Sequence, residues 1–295
     1  MKDSPLVSVI IPNLHSPIID NVVESVLRQK YKGKLEIIVV GQDKFRLLDR
    51  FKKRGLIKII ETEKPLIPSI ARNIGIKMAK GDYLFFLDAD CLVGPHWLSC
   101  LLKNYDSNDN QVVGGSIIIE KSGNFWRLCD NLAHFYAISA RQKKKNLINL
   151  ATANLSVPRK IIKKVDRFDE TLVAGEDKDY LLRIFKAGYT LTFEPKAGAI
   201  HLSSRTNFFS VLKHSYFWGP YSLKVRLRYQ DIEFLPFFMK NRLSLILMAP
   251  IIALGSTLRV FRTSFFHWRF FYTFPIIYIS KFFWCLGAGI KKIND

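Results

Sequence analysis

One short segment constrains this chain more than any other: a run of strand-forming residues that stops on two acids. Tyr83 to Leu87 is aromatic or aliphatic throughout, and Asp88 and Asp90 follow it one residue apart. A buried strand that ends in Asp-x-Asp delivers two carboxylates to the carboxyl edge of a sheet, where open α/β sheets bind ligands. Mg²⁺ is usually held by one or two carboxylates together with substrate phosphates. The segment therefore predicts a metal–diphosphate site.

The rest of the first half has the alternating pattern of an α/β protein. Val7 to Ile11 is a continuous apolar run, as expected for a strand buried on both faces of a parallel sheet. Leu35 to Val40 and Ile57 to Ile60 have the same character, and Pro68 to Lys80 has the pattern of a helix leading into the Asp-x-Asp strand. Strands that alternate with helices at this spacing predict βαβ units and a mainly parallel sheet.

Composition narrows the classes of protein that fit. The four cysteines are scattered without a C-x-x-C pair, which argues against a zinc site or a disulfide framework and suits a reducing compartment. The N-terminal residues Met1 to Pro5 lack the apolar core of a signal peptide, so the part of the chain that follows them is expected in the cytoplasm. The formal net charge of +20 fits anionic partners, such as nucleic acid, lipid headgroups or anionic substrates, or simply a soluble basic surface. No nucleic-acid-binding module accompanies the charge, so nucleic acid is not expected as a partner.

The position of the charge points to lipid. From Lys213 onward there are twelve Lys and Arg against three Asp and Glu, in the stretch richest in Phe, Trp and Ile. Basic and aromatic residues together are typical of a membrane-surface segment that meets anionic headgroups. Phe208 to Gln230 is such a segment, with an interruption expected at Gly219-Pro220. Leu243 to Leu258 and Phe270 to Ile290 are apolar stretches that fit either a transmembrane hairpin or two interfacial helices.

The stretch from Ala71 to Leu98 resembles the core of the family-2 glycosyltransferases, which use nucleotide-sugar donors. The family pattern is A-R-N-x-G, a short helix, A-x-G-x-x-x-x-F-L-D-x-D and then P-x-x-L. This chain matches it at Ala71, Arg72, Asn73, Gly75, Ala79, Gly81, Phe86, Leu87, Asp88, Asp90, Pro95 and Leu98. So many matches at fixed spacing are far more specific than a lone Asp-x-Asp.

The resemblance implies the GT-A fold, an α/β architecture that is Rossmann-like, with a mainly parallel central sheet and helices on both faces. We expect this catalytic domain over residues 1–205. A C-terminal helical membrane-associated region is expected to follow, with amphipathic aromatic and basic helices at the membrane surface over 206–240. Two apolar helices are expected over 241–295, transmembrane or interfacial. The expected location is the cell membrane, with the catalytic domain facing the cytoplasm.

The resemblance also implies a set of site residues. Phe168-Asp169-Glu170 and the run from Gly175 to Asp179 resemble the family's F-D-E and G-E-D-x-D segments, which makes Asp177 the catalytic base beside Glu176. One base opposite the leaving group implies a single displacement with inversion. Mg²⁺ or Mn²⁺ is the implied cofactor. The implied metal ligands are Asp90, Asp88 and His201; the donor-binding residues are Pro12, Asn13, Asp43, Arg72, Asp88 and Ala89; the acceptor-side residues are Thr152, Ala153, Asn154 and Asp179.

Two positions depart from the family pattern. Strand two of the family commonly ends in an acid that contacts the base, whereas this chain has Gly41-Gln42-Asp43, so that Asp43 is the candidate substitute. Thr152 stands where the family has glycine in a G-A-N-like turn. The identity of the nucleotide is therefore left open by the sequence.

The leading hypothesis is a metal-dependent inverting glycosyltransferase that moves a sugar from a nucleotide-diphosphate donor to a hydroxyl of a lipid-linked saccharide or similar acceptor. A polyprenyl-phosphate sugar synthase is a close alternative, although its acceptor is already an anion and needs no base. The second alternative is a non-catalytic basic membrane adaptor on the same scaffold. A nucleotidylyltransferase is disfavoured, because the loop Pro12 to Pro17 is not glycine-rich.

Overall fold

The computed structural model describes residues 4–105 and 110–291. Residues 1–3, 106–109 and 292–295, which include both ends of the expected domain ranges, lie outside the described residues. Two compact units are present: a sheet unit, Met1–Ile118 with Lys143–His201, and a helical unit, Ile119–Gln142 with Leu202–Asp295. The segment 119–142 thus belongs with the C-terminal helices, which differs from the continuous 1–205 domain expected from the sequence.

The secondary-structure elements alternate in the order that the sequence predicts for the first half. The strands are β1 Val7–Leu14, β2 Leu35–Gln42, β3 Lys58–Glu61, β4 Tyr83–Leu87, β5 Cys91–Val93, β6 Gln111–Ile117, β7 Lys145–Asn146, β8 Asn154–Pro158 and β9 Thr190–His201. The helices are α1 Ile19–Leu27, α2 Asp49–Lys53, α3 Pro68–Met78, α4 Trp97–Leu102, α5 Phe125–Phe135, α6 Arg159–Val165, α7 Glu176–Lys186, α8 Phe208–Arg228, α9 Arg242–Leu247, α10 Ala249–Arg262 and α11 Phe274–Ile290.

All the described strands join one mixed sheet in the order β3-β2-β1-β4-β8-β6-β9-β5, with β7 paired to β9. The first four strands run parallel, and β6 and β9 are also parallel to each other. Strand β8 lies antiparallel between β4 and β6. The predicted α/β class is therefore confirmed, and the antiparallel insertion is the part that the βαβ pattern does not contain.

The carboxyl ends of β1 and β2 lie unusually close together. Asn13 on β1 pairs with Gly41 on β2, and Gly41 has a φ of 132°. A Cβ on Gly41 would collide with the backbone carbonyl oxygen of Asn13, so a side chain is excluded there on both conformational and steric grounds. This accounts for the glycine where the family commonly has an acid, and it moves the first available carboxylate to Asp43.

In the helical unit, α8 and α11 pack with their backbones in close approach. A Cβ on Gly219 would collide with the carbonyl oxygen of Trp284, and one on Gly287 would collide with that of Tyr216. The predicted interruption at Gly219-Pro220 is wrong, since α8 runs through Pro220. A proline inside a helix costs about 3 kcal/mol, and the close packing that Gly219 allows is what offsets it.

The apolar C-terminal stretches adopt two different arrangements. Residues 243–258 are divided between α9 and α10, with Met248 at the junction. Among the described residues, one helical stretch, Phe265–Ile290, is long and apolar enough to cross a membrane, and 39% of its most apolar window is buried inside the protein. The core of the unit draws on α8, α9, α10 and α11 and on the segment between α8 and α9: Leu223, Leu235, Met239, Leu245, Ala249, Cys285 and Ala288.

A buried carboxylate organises a polar network in the same unit. Asp130 on α5 is inaccessible to solvent, accepts hydrogen bonds from Arg205 Nε and from His214 Nδ1, and lies 3.4 Å from His134 Nδ1. These partners hold the pKa of Asp130 well below its usual value although burial opposes ionisation. Burial lowers the pKa of His214 to about 4. The side chains of Asp130, His134 and His214 lie close enough to share a cation, but Arg205 already neutralises the carboxylate.

This network makes the protein acid-sensitive. Because the pKa of His214 is about 4 when folded and about 6.5 when unfolded, the unfolded state takes up the proton first as the pH falls. We expect the contribution of His214 to the free energy of unfolding to drop by about 2 kcal/mol between pH 7 and pH 5. Thermal unfolding of the wild-type protein and of two variants in detergent at both pH values measures this. His214→Gln should lose this contribution relative to the wild-type protein, whereas the exposed control His96→Gln should retain it, and equal slopes for the two variants would contradict the assignment.

Candidate active site

Asp88 and Asp90 lie at the carboxyl edge of the sheet, directly after β4. Their side chains are 32% and 30% exposed, so both carboxylates are held by the fold yet reachable from solvent. The amide of Cys91 donates to the carbonyl of Asp88, which closes a tight turn between β4 and β5. This turn holds the backbone around the two acids in a defined conformation at the edge where the sequence analysis predicted them.

Arg72 links the Asp-x-Asp turn to the second acidic cluster. It rises from α3 with a side chain only 3% exposed, and donates from Nη2 to Asp88 Oδ1 and from Nη1 to Glu176 Oε1, each at 2.7 Å. Its guanidinium carbon lies 5.7 Å from the ring centroid of Phe168. Two charge-assisted bonds to two different carboxylates fix a planar guanidinium firmly. Arg72 was predicted to bind the donor. Its two ion pairs give it a further role, which is to hold Asp88 and Glu176 in position.

Glu176 and Asp177 open α7 but have different environments. Gly175 precedes them with a φ of 80°, the left-handed conformation at the helix N-cap. The Glu176 side chain is 6% exposed and is bound to Arg72, whereas Asp177 is half-buried. Burial, followed by the negative charge of Glu176, raises the pKa of Asp177 to about 7. Of the two predicted catalytic acids, Asp177 has the environment of a proton acceptor near neutral pH, and Glu176 has that of a positioning residue.

A possible cation site forms around Asp90. Strand β5 pairs antiparallel with β9 so that Cys91 lies opposite His201, and His201 Nε2 is 3.5 Å from Asp90 Oδ2. Cys91 Sγ lies 4.0 Å from Asp90 Oδ1, and these three side chains together could hold a metal ion. Cys91 was not predicted as a site residue. The sequence feature that could have indicated Cys91 is its position next to Asp90.

Hydrogen bonds join the end of β1, which carries two of the predicted donor-side residues, to the Asp-x-Asp turn. Asn13 Nδ2 donates to the carbonyl of Gln42, and its Oδ1 accepts from the amide of Ser16. Ser16 Oγ in turn donates to the carbonyl of Ala89 at 2.6 Å, which joins this loop to the Asp-x-Asp turn. Pro12 lies partly buried on β1 directly before Asn13. Ser16 was missed by the sequence analysis, where it was indistinguishable from a helix cap.

Asp43, which directly follows β2, has an unusual environment. Its Oδ2 accepts from the amide of Leu48 at 2.8 Å. Its Oδ1 is buried and has no hydrogen-bond partner within residues 4–105 and 110–291. Leaving a buried carboxylate oxygen unsatisfied costs about 1–3 kcal/mol or more. An oxygen of this kind is suited to accept a hydrogen bond from a bound ligand.

The predicted acceptor-side residues have structural partners instead. Thr152, Ala153 and Asn154 are at most 3% exposed, and Asn154 bonds Trp97 Nε1 and two backbone carbonyls. Asp179 is inaccessible to solvent and pairs with Arg183 at 2.9 Å. Their burial is at odds with direct contact to an acceptor. The G-A-N-like turn and the third acid of the cluster instead hold β8 and α7 in place.

Comparison with known proteins identifies the family. The model of glycosyl transferase family 2 matches residues 8–166, more than half of the chain. The chain belongs to the family-2 glycosyltransferases. The matched range contains the Asp-x-Asp turn and the Asn154 turn, and it ends before Glu176 and Asp177.

Two archaeal relatives and two solved structures show how far the family likeness extends. The chain is 29% identical to glycosyltransferase AglE of Haloferax volcanii, over 64% of this chain and 64% of that one. It is 25% identical to an uncharacterised glycosyltransferase of Methanocaldococcus jannaschii, over 75% of this chain and 79% of that one. The mannosyltransferase PcManGT of Pyrobaculum calidifontis, solved with GDP-Man and Mn²⁺, has a TM-score of 0.64 at 14% identity, covering 95% of this chain and 86% of its own.

GalNAc-T7, solved with UDP, GalNAc and Mn²⁺, has a TM-score of 0.56 at 19% identity, covering 80% of this chain and 52% of its own. At these identities the structural likenesses establish the fold, and the GT-A prediction is confirmed. The chain spans somewhat less than two thirds of the length of AglE. This family-2 member shares its fold with those proteins, and a shared fold does not identify the sugar or the acceptor.

Proposed function

We propose that this protein is a metal-dependent inverting glycosyltransferase. It moves a sugar from a nucleotide-diphosphate donor to a hydroxyl of a lipid-linked saccharide or similar acceptor, at the cytoplasmic face of the membrane. The observation that carries the proposal is the link from Asp88 through Arg72 to Glu176, which connects a diphosphate-type site to a base-type site. Family membership and the two solved relatives with nucleotides and Mn²⁺ support it.

The residues around Asp90 fit a divalent cation. Two carboxylates, Asp88 and Asp90, and the imidazole of His201 provide a mixed oxygen and nitrogen donor set, which favours Mn²⁺ over Mg²⁺ because Mg²⁺ takes almost only oxygen ligands. When bound, such a cation neutralises charge on the departing nucleoside diphosphate. Arg72 holds Asp88 in a fixed orientation, and the unpartnered Oδ1 of Asp43 is suited to accept a hydrogen bond from the nucleotide.

Asp177 is the proposed base. An acceptor hydroxyl becomes an effective nucleophile when a positioned carboxylate takes its proton as it attacks the anomeric carbon. A pKa of about 7 matches this role near neutral pH. A phosphate acceptor would need no such base, so the environment of Asp177 supports a hydroxyl acceptor over a polyprenyl phosphate. A single attack from the side opposite the leaving group gives inversion.

Asp90→Asn tests the proposal. The purified full-length protein in mild detergent is supplied with a panel of nucleotide sugars, lipid-linked acceptors and either Mn²⁺ or Mg²⁺, while nucleoside diphosphate release and lipid-extractable label are followed. Loss of one ligand charge is expected to lower the rate at limiting Mn²⁺ by about 10- to 100-fold, by analogy with the cost of disturbing a metal's supporting shell. The deficit should shrink as Mn²⁺ is raised.

The matched control is Asp166→Asn, the same isosteric substitution at a residue whose side chain is 85% exposed. It should leave both the rate and the metal dependence unchanged. Full activity of Asp90→Asn with unaltered metal dependence would remove the cation from the proposal. No donor turnover by the wild-type protein with any sugar would favour the non-catalytic adaptor.

A further inference from the structure

The exposed face of α9 and α10 is apolar where that of a water-soluble helix is polar. The large side chains on it recur at intervals of four, four, three and four residues, which places them on one face. They are 39–69% exposed: Leu243, Leu247, Ile251, Leu254 and Leu258. The opposite face carries buried Leu245, Ala249 and Ala253. This strip, called here the docking face, has no covering element within the described residues.

Aromatic side chains extend the docking face along the chain. The segment Phe265–Thr273, which follows α10, is a 3₁₀ helix. Within it Phe265 is 91% exposed, Trp268 47% and Tyr272 60%. Exposed Trp and Tyr next to an apolar surface are typical of the boundary between lipid and water, where the ring is buried and its polar atom stays hydrated.

A basic cavity lies at the C-terminal end of the docking face. It has a volume of about 340 Å³ and is lined by Gly255, Leu258, Arg259, Arg262 and Thr263. Arg259 and Arg262 are exposed, and neither has a carboxylate in ion-pair distance in the part of the chain that the structure describes. Guanidinium groups bind phosphate with paired hydrogen bonds. A cavity that presents two of them beside Leu258 suits a phosphate group attached to an apolar chain.

The surrounding sequence is uniformly basic. Between Glu233 and Asp295 there is no acidic residue, whereas there are eight Lys and Arg. Each basic residue near an anionic bilayer contributes about 1 kcal/mol of attraction, and this attraction falls off within a Debye length. The charge therefore favours a surface rich in anionic phospholipid over a neutral one or over an acidic protein of small area.

The packing of α11 favours a helix that lies along the bilayer surface rather than one that crosses it. Lys281 Nζ donates to the carbonyl of Ala133 on α5 at 2.7 Å, inside the helical unit. Cys285 and Ala288 belong to the core of the same unit. To span a bilayer, α11 would have to exchange these contacts for lipid and expose the ammonium group, which is costly.

We propose that the docking face lies in the interface of an anionic phospholipid bilayer, with Arg259 and Arg262 binding a phosphodiester headgroup. The apolar strip lies at the depth of the glycerol backbone, where the acyl chains of the lipid begin. This inference deepens the proposed function, since it rests on the membrane placement proposed there and names the residues that produce it. The helical unit then acts as a monotopic anchor.

Vesicle binding tests the docking face directly. Full-length protein is diluted from mild detergent into sedimentable vesicles of phosphatidylcholine alone or with 30% phosphatidylglycerol, and the partition coefficient is measured. Leu247→Glu/Ile251→Glu should lower it at least about 100-fold on both compositions, since two apolar anchors are lost and two carboxylates would have to be desolvated in the interface. Arg259→Gln/Arg262→Gln should lower it about 30-fold on anionic vesicles and leave it unchanged on neutral ones.

Matched controls separate these effects from general loss of charge or folding. Lys163→Gln/Lys164→Gln removes two exposed positive charges from the sheet unit, and Leu27→Glu/Met78→Glu places two acids at exposed apolar positions there. Both should partition within about threefold of the wild-type protein. All variants should keep the wild-type melting temperature and the wild-type rate of donor turnover in detergent, because none of them alters the active site.

Three outcomes would overturn the inference. One is wild-type partitioning of Leu247→Glu/Ile251→Glu. Another is equal affinity of the wild-type protein for neutral and anionic vesicles. A third is resistance of the wild-type protein to extraction from membranes by alkaline carbonate, which would indicate a spanning helix. Vesicle binding as expected without any sugar transfer would refute the proposed function and leave the docking face intact, so the two failures are distinguishable.

Discussion

Asp177→Asn is expected to lower the rate of sugar transfer by about 10³-fold while making the protein more stable. Removing a positioned base from the transition state typically costs 10²–10⁴ in rate. Because burial and Glu176 raise the pKa of Asp177 to about 7, the ionised carboxylate is disfavoured in the folded state. Asparagine abolishes this cost, so at pH 8 the free energy of unfolding should rise by about 4 kcal/mol.

The pH dependence has a defined sign. Asp177 must be ionised to take a proton, so the wild-type rate should rise with pH and level off above about pH 7. The contribution of Asp177 to folding stability changes in the opposite direction: it is lost as the pH rises from the ordinary aspartate value near 3.9 to about 7. The rate is measured under saturating Mn²⁺ from pH 5.5 to 8.5, and unfolding by thermal melts across the same range. Asp177→Asn should lose the pH dependence of the rate and the Asp177 contribution to stability, and keep only the opposite contribution of His214.

Glu170→Gln is the matched control, because Glu170 is a carboxylate of the same unit that bonds Asn73 rather than Arg72. It should retain the rising pH profile. A loss of rate in Asp177→Asn without any gain in stability would mean that Asp177 is not held in an ionisation-opposing environment. Undiminished transfer by Asp177→Asn would instead identify an acceptor that is already anionic, as in a polyprenyl-phosphate sugar synthase.

Much of the sheet unit is predictable from the sequence because its signals are local. The apolar run that forms β1 and the Asp-x-Asp turn after β4 each depend on a few neighbouring residues, and both lie where the pattern predicts them. The same holds for Asp177, whose position at the start of α7 follows from the preceding glycine and the helix stripe after it.

Contacts between residues far apart in the sequence could not be predicted from local patterns. The Arg72–Glu176 contact joins residues 104 positions apart, and nothing local distinguishes an arginine that meets donor phosphates from one that holds two acids. The hydrogen bonds of Asn154 could not be predicted for the same reason, since its partners Trp97 and the carbonyls of β6 and β9 come from three distant segments. The antiparallel insertion of β8 is likewise a property of pairing, which short apolar strands do not specify by themselves.

The helical unit shows where a local rule is overridden. Gly219-Pro220 has the composition of a helix break, and α8 continues because the missing side chain admits the backbone of α11. The exposed apolar strip of α9 and α10 is the converse case: the apolar pattern is visible in the sequence, but which side of it faces outward depends on the packing of the opposite face.

Arg72→Met is expected to destabilise the folded protein by about 3–5 kcal/mol, the usual cost of leaving one partner of a buried ion pair uncompensated. Glu176 is the partner at risk, since its side chain is only 6% exposed and is bound to Arg72 at 2.7 Å. Methionine fills much of the same volume without charge or hydrogen bonds. Thermal and urea unfolding in detergent measure the loss. Arg28→Met, at an exposed pair with Glu24, should change stability by less than about 0.5 kcal/mol.

A double variant separates the charge from the packing. Arg72→Met/Glu176→Gln removes both charges, so it should regain at least half of the stability lost in Arg72→Met, and the double-mutant cycle should report strong coupling between the two sites. Sugar transfer should not return, because Asp88 still lacks the guanidinium that orients it and Asp177 still lacks the positive charge that lowers its pKa. A double variant no more stable than Arg72→Met would show that the guanidinium stabilises the fold through Asp88 and Phe168 alone. Restored transfer would show that the chemistry requires only charge balance, and the link from the diphosphate site to the base would then have no catalytic role.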